Sequence, residues 1–174
     1  MNNLENQVAV VTGASRGIGK EISRRLASEG AHVFIVDMNE SALYETCIEL
    51  KNLGLSVEAA VADITNEHAI QELFTSVEDK HGKADILVNN AGIIRDNLLF
   101  KMSSEDWHHV MSVHLYGTFL CTKYAQKLMV KNQYGRIINL SSVSALGSRG
   151  QANYAAAKAG IQGFTKTLAI ELGK

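Results

Sequence analysis

Proline is absent from this sequence of 174 residues, and cysteine occurs only twice. Cys47 and Cys121 are far apart and form no CxxC pair, so we predict neither a disulfide framework nor a metal site. No apolar stretch approaches the length of about 20 residues that a membrane helix needs. The formal net charge is only -1, which gives no electrostatic reason to expect nucleic acid or a membrane surface as a partner. These absences leave a cytoplasmic globular protein as the expectation.

Short apolar runs alternate along the chain with longer stretches of helical periodicity. Strands are predicted over residues 8–11, 32–36, 56–61, 85–88 and 136–140, and helices over 19–28, 41–51, 67–80, 105–130 and 154–172. This alternation is typical of βαβ units, and strands that are apolar throughout indicate a parallel sheet buried on both faces. We therefore predict an α/β fold, a doubly wound parallel sheet of Rossmann type, as a single domain over residues 1–174.

A glycine-rich turn follows the first predicted strand, with the spacing GxxxGxG rather than the more common GxGxxG. Such a turn lets the backbone approach a pyrophosphate, and the N-terminus of the next helix supplies N–H groups and a positive dipole. The turn therefore predicts a dinucleotide site, although a turn that serves only backbone geometry is the alternative. The predicted contacts here are Gly13, Ser15, Arg16, Gly17, Ile18 and Gly19.

An acidic residue, Asp37, ends the second predicted strand about 20 residues after the glycines, where a carboxylate binds the adenosine ribose hydroxyls. The same carboxylate would repel the 2′-phosphate of NADP. Arg16 favours the opposite preference, because a guanidinium beside the loop can pair with that phosphate. Arg16 can swing away whereas Asp37 is a fixed obstacle, so NAD is the predicted cofactor and NADP the alternative. The structural alternative for Asp37 is a strand-end turn or a helix cap.

Tyr154 and Lys158 begin the last predicted helix, and their i,i+4 spacing places both on one helix face. A tyrosine in water loses its proton at roughly pH 10, and a neighbouring ammonium is the kind of group that brings this ionisation towards neutral pH. Such a pair can act as an acid or a base on a bound substrate. Taken alone, a Tyr-Lys pair is more often structural, with a half-buried tyrosine and a solvated lysine.

Four motifs in a fixed order extend this pattern over essentially the whole chain. They are Thr12-Gly13-x-x-x-Gly17-x-Gly19, Asn89-Asn90-Ala91-Gly92 after the fourth strand, Ser141-Ser142 after the fifth, and Tyr154-x-x-x-Lys158. The set resembles the motifs of the short-chain dehydrogenase/reductase family. Within that family, residues 91–99 and 150–160 are most similar to β-ketoacyl-[acyl-carrier-protein] reductases of fatty-acid synthesis.

The resemblance implies a role for each motif. Tyr154 would donate a proton to the substrate carbonyl while hydride arrives from the nicotinamide, and Lys158 would bind the nicotinamide ribose and assist Tyr154. A serine would orient the carbonyl: the strand end selects Ser142, which we prefer, whereas counting back from Tyr154 selects Ser141. The remaining implied cofactor contacts are Asp63 and Ile64 beside the adenine, and Asn90, Ala91 and Gly92 after the fourth strand.

Two departures from the family pattern bear on activity. The family usually has asparagine in the long fourth helix where this sequence has His114; a similar histidine occurs in the dehydrogenase part of peroxisomal type 2 multifunctional enzymes. Histidine can transfer protons near neutral pH, although a lone helix histidine is more often structural. Relatives also continue past the position of Lys174 with two more strands, a Pro-Gly turn beside the nicotinamide and a substrate lid. We therefore expect a C-terminally truncated domain whose last strand is an open edge.

The resemblance predicts an oxidoreductase that transfers hydride between NAD(P)(H) and a carbonyl or secondary alcohol, with a 3-oxoacyl thioester of acyl-carrier protein or coenzyme A as substrate. The alternatives are another short-chain secondary-alcohol dehydrogenase and an inactive nucleotide-binding scaffold or subunit. Apolar residues on more than one face of the two long helices predict a homodimer or homotetramer. These residues are Met111, Leu115, Phe119 and Leu128 in one helix and Ile161, Phe164, Leu168 and Ile170 in the other.

Overall fold

A parallel sheet forms the centre of the computed structural model, which describes residues 3–173; residues 1, 2 and 174 of the predicted domain lie outside that range. Its strand order is β3-β2-β1-β4-β5, and every neighbouring pair is parallel. The prediction of a Rossmann-type α/β sheet is therefore confirmed. The strands are β1 (Val8–Thr12), β2 (His32–Asp37), β3 (Val57–Val61), β4 (Ile86–Asn89) and β5 (Arg136–Asn139).

Helices follow the strands in the predicted alternation. They are α1 (Gly17–Ser28), α2 (Glu40–Asn52), α3 (Glu67–His81), α4 (Ser104–Met111), α5 (Gly117–Lys131) and α6 (Ala152–Leu172). The single helix predicted over 105–130 is divided, because a π-helical turn, Ser112–Tyr116, separates α4 from α5. There the Gly117 N–H donates to the Ser112 carbonyl, five residues back instead of four. Apolar residues lie on more than one face of this stretch, so the sequence pattern did not reveal a shift of one residue.

The strands β1, β2 and β4 are apolar over most of their length because both faces of the sheet are covered there. Val8 and Val10 of β1 face one way and pack in a cluster with apolar side chains of α3 and α5. Ala9 and Val11 face the other way and pack with side chains of α1 and α2. Successive residues of a strand point to opposite faces, so each face receives an alternate set.

The last strand, β5, is at the edge of the sheet and differs from the others. Within residues 3–173 its neighbour is β4, and Ile138 remains 49% exposed. The centre of the sheet has a topological switch point. β1 lies between β2 and β4, so the connection after β1 leads to one side of β1 and the connection after β3 leads to its other side. Ligands of doubly wound sheets bind outside the carboxyl ends of the strands at such a switch point. No helix in the described range is long and apolar enough to cross a membrane.

Candidate active site

A cleft of about 1020 Å³ opens at the carboxyl ends of β1 to β4. Its walls are the turn after β1, the end of β2, the turn after β3, the segment after β4, and one face of α4 and the π turn. Nearly all of the predicted cofactor residues line it: Gly13, Ser15, Arg16, Gly17, Ile18, Asp37, Asp63, Ile64, Asn90, Ala91 and Gly92. Gly19 is buried behind the loop in α1, and the other two predicted cofactor contacts, Tyr154 and Lys158, are not among the lining residues.

The glycines are required by close backbone packing between the turn and the segment after β4. Gly13 has a φ of +65°, and a Cβ there would lie 2.7 Å from the Ala91 Cα. A Cβ on Gly19 would overlap the Gly13 carbonyl oxygen. The first turn of α1 has no acidic residue and no side-chain cap, so no side chain blocks its N–H groups from an anion. The turn and helix terminus thus fit a dinucleotide phosphate.

Asn90 and Thr12 fix the shape of this turn. The Asn90 side-chain amide donates to the Thr12 and Gly13 carbonyls at 2.9 and 3.0 Å. The Thr12 hydroxyl oxygen accepts hydrogen bonds from the Asn90 and Ala91 N–H groups, each at 3.1 Å. Asn90 therefore holds the glycine-rich turn after β1, which we call the phosphate turn, and it also lines the cleft.

The Asp37 carboxylate stands at the rim of the cleft and joins the end of β2 to the turn. It accepts hydrogen bonds from the Ser15 hydroxyl at 2.7 Å, the Ser15 N–H at 3.2 Å and the Asn39 N–H at 3.0 Å. Asp37 thus has the structural role of a strand-end turn residue and also presents a negative charge to the cleft. Asp63 is similar, because it accepts from the Thr65 N–H and hydroxyl, both at 2.8 Å.

Tyr154 and Lys158 lie in the first turns of α6, and Lys158 is buried. The Lys158 Nζ donates to the Leu140 carbonyl oxygen at 2.6 Å and lies 5.6 Å from the centre of the Tyr154 ring. Burial lowers the pKa of Lys158, since desolvation disfavours its charged form. Lys158 is therefore not solvated as the structural alternative requires, whereas Tyr154 is half-buried, as that alternative also has it.

His114 connects this pair to the cleft. Its ring packs edge-on against Tyr154, with ring centres 5.0 Å apart and an interplanar angle of 88°. Its Nε2 lies 3.0 Å from the Ile93 nitrogen and 2.7 Å from the Ile93 oxygen. Burial lowers the pKa of His114 to about 4; the Lys158 charge acts in the same direction, and the hydrogen bond to Ile93 opposes it. The ring is consequently neutral at pH 7.

The two candidate serines have different surroundings. The Ser141 hydroxyl donates to the Lys158 carbonyl and accepts from the Gln162 amide, both at 3.1 Å, so both of its roles are taken up by α6. The Ser142 oxygen accepts from the Ser144 N–H at 3.1 Å, which leaves its proton available to a ligand. Within the described residues neither hydroxyl is hydrogen-bonded to Tyr154.

One wall of the cleft was not predicted. The sequence pattern indicated α4 only as part of a long helix, yet five residues of α4 and the π turn line the cleft: Glu105, His108, His109, Ser112 and Val113. Their spacing of i, i+3, i+4, i+7 and i+8 is that of one helix face, and this spacing was the signal from which the shared face could have been predicted. The pattern is common on solvated helices, so it predicts a shared face but not what that face borders.

Comparisons with known proteins agree with this geometry. A profile of the short chain dehydrogenase family matches residues 7–174. A 3-oxoacyl-[acyl-carrier-protein] reductase of Synechocystis is 47% identical over 99% of this chain and 70% of its own length. The (2S)-[(R)-hydroxy(phenyl)methyl]succinyl-CoA dehydrogenase subunit BbsD of Thauera aromatica is 44% identical over 98% of this chain and 69% of its own. The Escherichia coli 3-oxoacyl-[acyl-carrier-protein] reductase is 41% identical over the same shares. The chain belongs to the short-chain dehydrogenase family of oxidoreductases.

Proposed function

We propose that this chain transfers hydride reversibly between NAD(H) and a 3-oxoacyl thioester, giving the 3-hydroxyacyl thioester. The observation that carries the proposal is the buried Lys158 ammonium beside Tyr154, next to His114 and the cleft wall that His114 contacts. The relatives named 3-oxoacyl-[acyl-carrier-protein] reductases support the substrate class. An inactive scaffold would have no need to bury a lysine next to a tyrosine, because burying an ammonium is costly.

Three side chains have different roles at the substrate carbonyl group. The nicotinamide supplies the hydride when bound, and the carbonyl oxygen then needs one proton to complete the alcohol. Tyr154 donates that proton, and the Lys158 ammonium stabilises the phenolate that remains. Ser142 donates a hydrogen bond to the carbonyl oxygen and orients it. In the oxidative direction Tyr154 accepts the proton instead.

The cofactor preference follows from the rim of the cleft. The α1 N-terminus and the turn before it bind the phosphates, and the Asp37 carboxylate accepts hydrogen bonds from the ribose hydroxyls. Asp37 is held by Ser15 and Asn39, so it cannot move aside for a 2′-phosphate as easily as the exposed Arg16 can move towards one. We therefore propose NAD, with NADP as the alternative.

The thioester carrier is acyl-carrier protein or coenzyme A. Both kinds of carrier occur among the names of the relatives, at identities of 47% and 44%. Both carriers present the acyl group on a thioester, so the reacting carbonyl is the same. An activity assay therefore needs one substrate of each kind.

The proposal is tested by following NADH oxidation in the presence of acetoacetyl-CoA or acetoacetyl-acyl-carrier protein. Tyr154→Phe should lower turnover by roughly 10³-fold, the usual contribution of a general acid, while NADH affinity stays nearly constant. Lys158→Ala should reduce both, because the lysine serves the ribose and the tyrosine. Tyr44→Phe, at an exposed tyrosine of α2, is the matched control. Wild-type turnover in Tyr154→Phe would contradict the mechanism, and NADH binding without turnover on either thioester would favour the scaffold.

We further propose a homodimer or homotetramer in the cytoplasm. Leu128 and Ile161 of the predicted interface are core residues, but Phe119 and Ile170 are exposed, at 41% and 80%. Such apolar exposure on α5 and α6 supports pairing of these helices between subunits. Light scattering at micromolar concentration should give a mass of at least two chains, and a monomer would contradict this.

The cytoplasmic location is supported by Cys47 and Cys121, which are both free thiols.

A further inference from the structure

His114 occupies a buried position between the cofactor cleft and the proposed acid Tyr154. It is only 2% exposed and lies in the π turn between α4 and α5. One side of its ring meets the Gly92–Ile93 segment, which lines the cleft, and its ring also contacts Tyr154. A π turn within a helix commonly marks a functional position, because the extra residue re-aims side chains at local cost.

The hydrogen bonding of His114 is directed at one residue. A neutral imidazole carries its proton on one nitrogen, so Nε2 either accepts from the Ile93 N–H or donates to the Ile93 carbonyl. In both tautomers the partner is the Ile93 backbone. The buried Nδ1 has no hydrogen-bond partner within residues 3–173. The ring thus has one strong polar attachment, and this attachment is to the cleft wall.

The absence of a side chain at Gly92 lets the ring approach that wall. A Cβ built on Gly92 would overlap the His114 Cε1 and lie 3.1 Å from each ring nitrogen. The backbone of the wall and the edge of the imidazole are therefore in direct contact. A shift of the His114 ring would therefore displace the backbone at both Gly92 and Ile93.

We propose that His114 is a positioning residue that fixes the Gly92–Ile93 wall of the cofactor cleft relative to the Tyr154 ring. This inference rests on the proposed function only for the roles of the wall and of Tyr154. It means that cofactor binding and placement of the acid are coupled through one side chain. The pKa of about 4 keeps the His114 ring neutral throughout the neutral range, so the ring acts on the wall as a hydrogen-bonding group and not as a charge.

Two substitutions at His114 separate positioning from proton transfer. His114→Phe keeps a ring against Tyr154 but removes the hydrogen bond to Ile93. His114→Gln places an amide near the position of Nε2, where it can donate or accept, but it has no titrating group. His68→Phe and His68→Gln, on the exposed surface of α3, are the matched controls.

The readouts are amide hydrogen exchange of residues 91–97 resolved by NMR, NADH affinity by fluorescence titration, and the pH profile of kcat/KM. His114→Phe should speed exchange in residues 91–97 by about tenfold and weaken NADH binding by about tenfold, the factor expected for one lost hydrogen bond. His114→Gln should restore both to within about threefold of wild type. The shape of the pH profile should not change in either variant, and the His68 variants should match wild type throughout.

Other results would overturn the proposal. Unchanged exchange and NADH affinity in His114→Phe would show that His114 does not hold the wall. A His114→Gln protein as impaired as His114→Phe, with a lost limb in its pH profile or rescue by added imidazole, would assign His114 to proton transfer. Exchange in residues 91–97 is measured without substrate, so the inference can be decided even if neither thioester is turned over.

Discussion

The two ends of the parallel sheet are held by different kinds of contact. At the amino ends of the strands, most charged and polar side chains pair with one another, although the Gln7 Oε1 and the His32 Nε2 are buried without a hydrogen bond in the described residues. Asp85 is 4% exposed, accepts a hydrogen bond from the Val8 N–H at 2.7 Å and lies 3.0 Å from the Lys83 Nζ. Lys80 and Glu58 form an ion pair there, and the His32 and His81 rings pack with centres 4.4 Å apart.

At the carboxyl ends, several polar groups have no such partner in the described residues. The first turn of α1 has no side-chain cap, and the His114 Nδ1 is buried without a hydrogen bond. The uncapped N–H groups of α1 border the cleft and are available to a ligand there, whereas the His114 Nδ1 is enclosed by protein. The two ends therefore differ in the helix terminus of α1, which is left uncapped at the carboxyl ends, and not in whether every buried polar atom is paired.

The largest expected effect, on both stability and cofactor binding, comes from adding a methyl group at the tightest backbone contact of the carboxyl ends. Gly19→Ala would place a methyl group into the Gly13 carbonyl and against the Asn90 amide at 2.5 Å. Overpacking of this kind costs about 1–3 kcal/mol of unfolding free energy, and displacement of the phosphate turn should weaken NAD binding by more than tenfold. Urea denaturation and fluorescence titration measure the two effects.

Gly163→Ala is the matched control for that experiment. Gly163 is a helical glycine of α6, and nothing lies within 4 Å of the position that an alanine methyl group would take there. Alanine should therefore be neutral or stabilise the helix by up to about 1 kcal/mol. If Gly19→Ala behaved like Gly163→Ala, the close approach between the turn and Asn90 would not govern cofactor binding.

A smaller effect on cofactor binding is expected at Asp37, because the same carboxylate is proposed to bind the ribose and accepts hydrogen bonds from Ser15 of the turn after β1. Asp37→Ala removes the charge that opposes a 2′-phosphate and also the hydrogen bonds to Ser15, so the preference for NAD over NADP should shrink by about tenfold. Asp37→Asn removes the charge while keeping an acceptor for Ser15, and it should change the preference with less loss of stability. Fluorescence titration with both cofactors decides between the candidates. Tighter binding of NADPH by the wild-type protein would mean that Arg16 dominates.

The features that the sequence predicted well are those dictated by backbone geometry. Gly13 and Asp37 lie where strand ends and glycine spacing require them, because strand length and a close approach leave few alternatives. β1, β2 and β4 were predicted for the same reason, since two-sided burial makes each of them almost continuously apolar, whereas β5 is half exposed at the edge of the sheet.

Features that depend on a single inserted or deleted residue were not predictable. The π turn around His114 lies in a stretch that is apolar on more than one face, which hides a shift of one residue, and the choice between Ser141 and Ser142 depends on which hydroxyl α6 already uses. The α4 wall was missed because the helix face that carries His108 and His109 is polar, as a solvated face would be. Tertiary contacts decide all three cases, and a single sequence does not contain them.

The smallest effect that separates the two ends is a pH dependence of stability at the amino ends. Burial lowers the pKa of His32 below that of histidine in water, and the neighbouring His81 adds to the effect; Lys51 and Lys80 act in the same direction, and Glu58 opposes it. Because the folded state prefers neutral His32, this contribution to stability is present above about pH 6.5, the pKa of an unfolded histidine, and is lost as the pH falls through the folded value.

His32→Phe should therefore reduce the loss of stability between pH 7.5 and pH 5, measured as the difference between urea midpoints at the two pH values. Phenylalanine keeps a ring against Phe34 and His81 but cannot be protonated. The other low-pKa histidine, His114, is present in both proteins, so its contribution cancels in the comparison. NADH affinity at pH 7.5 should be unchanged, because His32 is at the opposite end of β2 from Asp37. An identical pH dependence in the variant would mean that protonation of His32 is not coupled to folding. A weakened affinity for NADH would mean that the amino ends of the strands also affect cofactor binding.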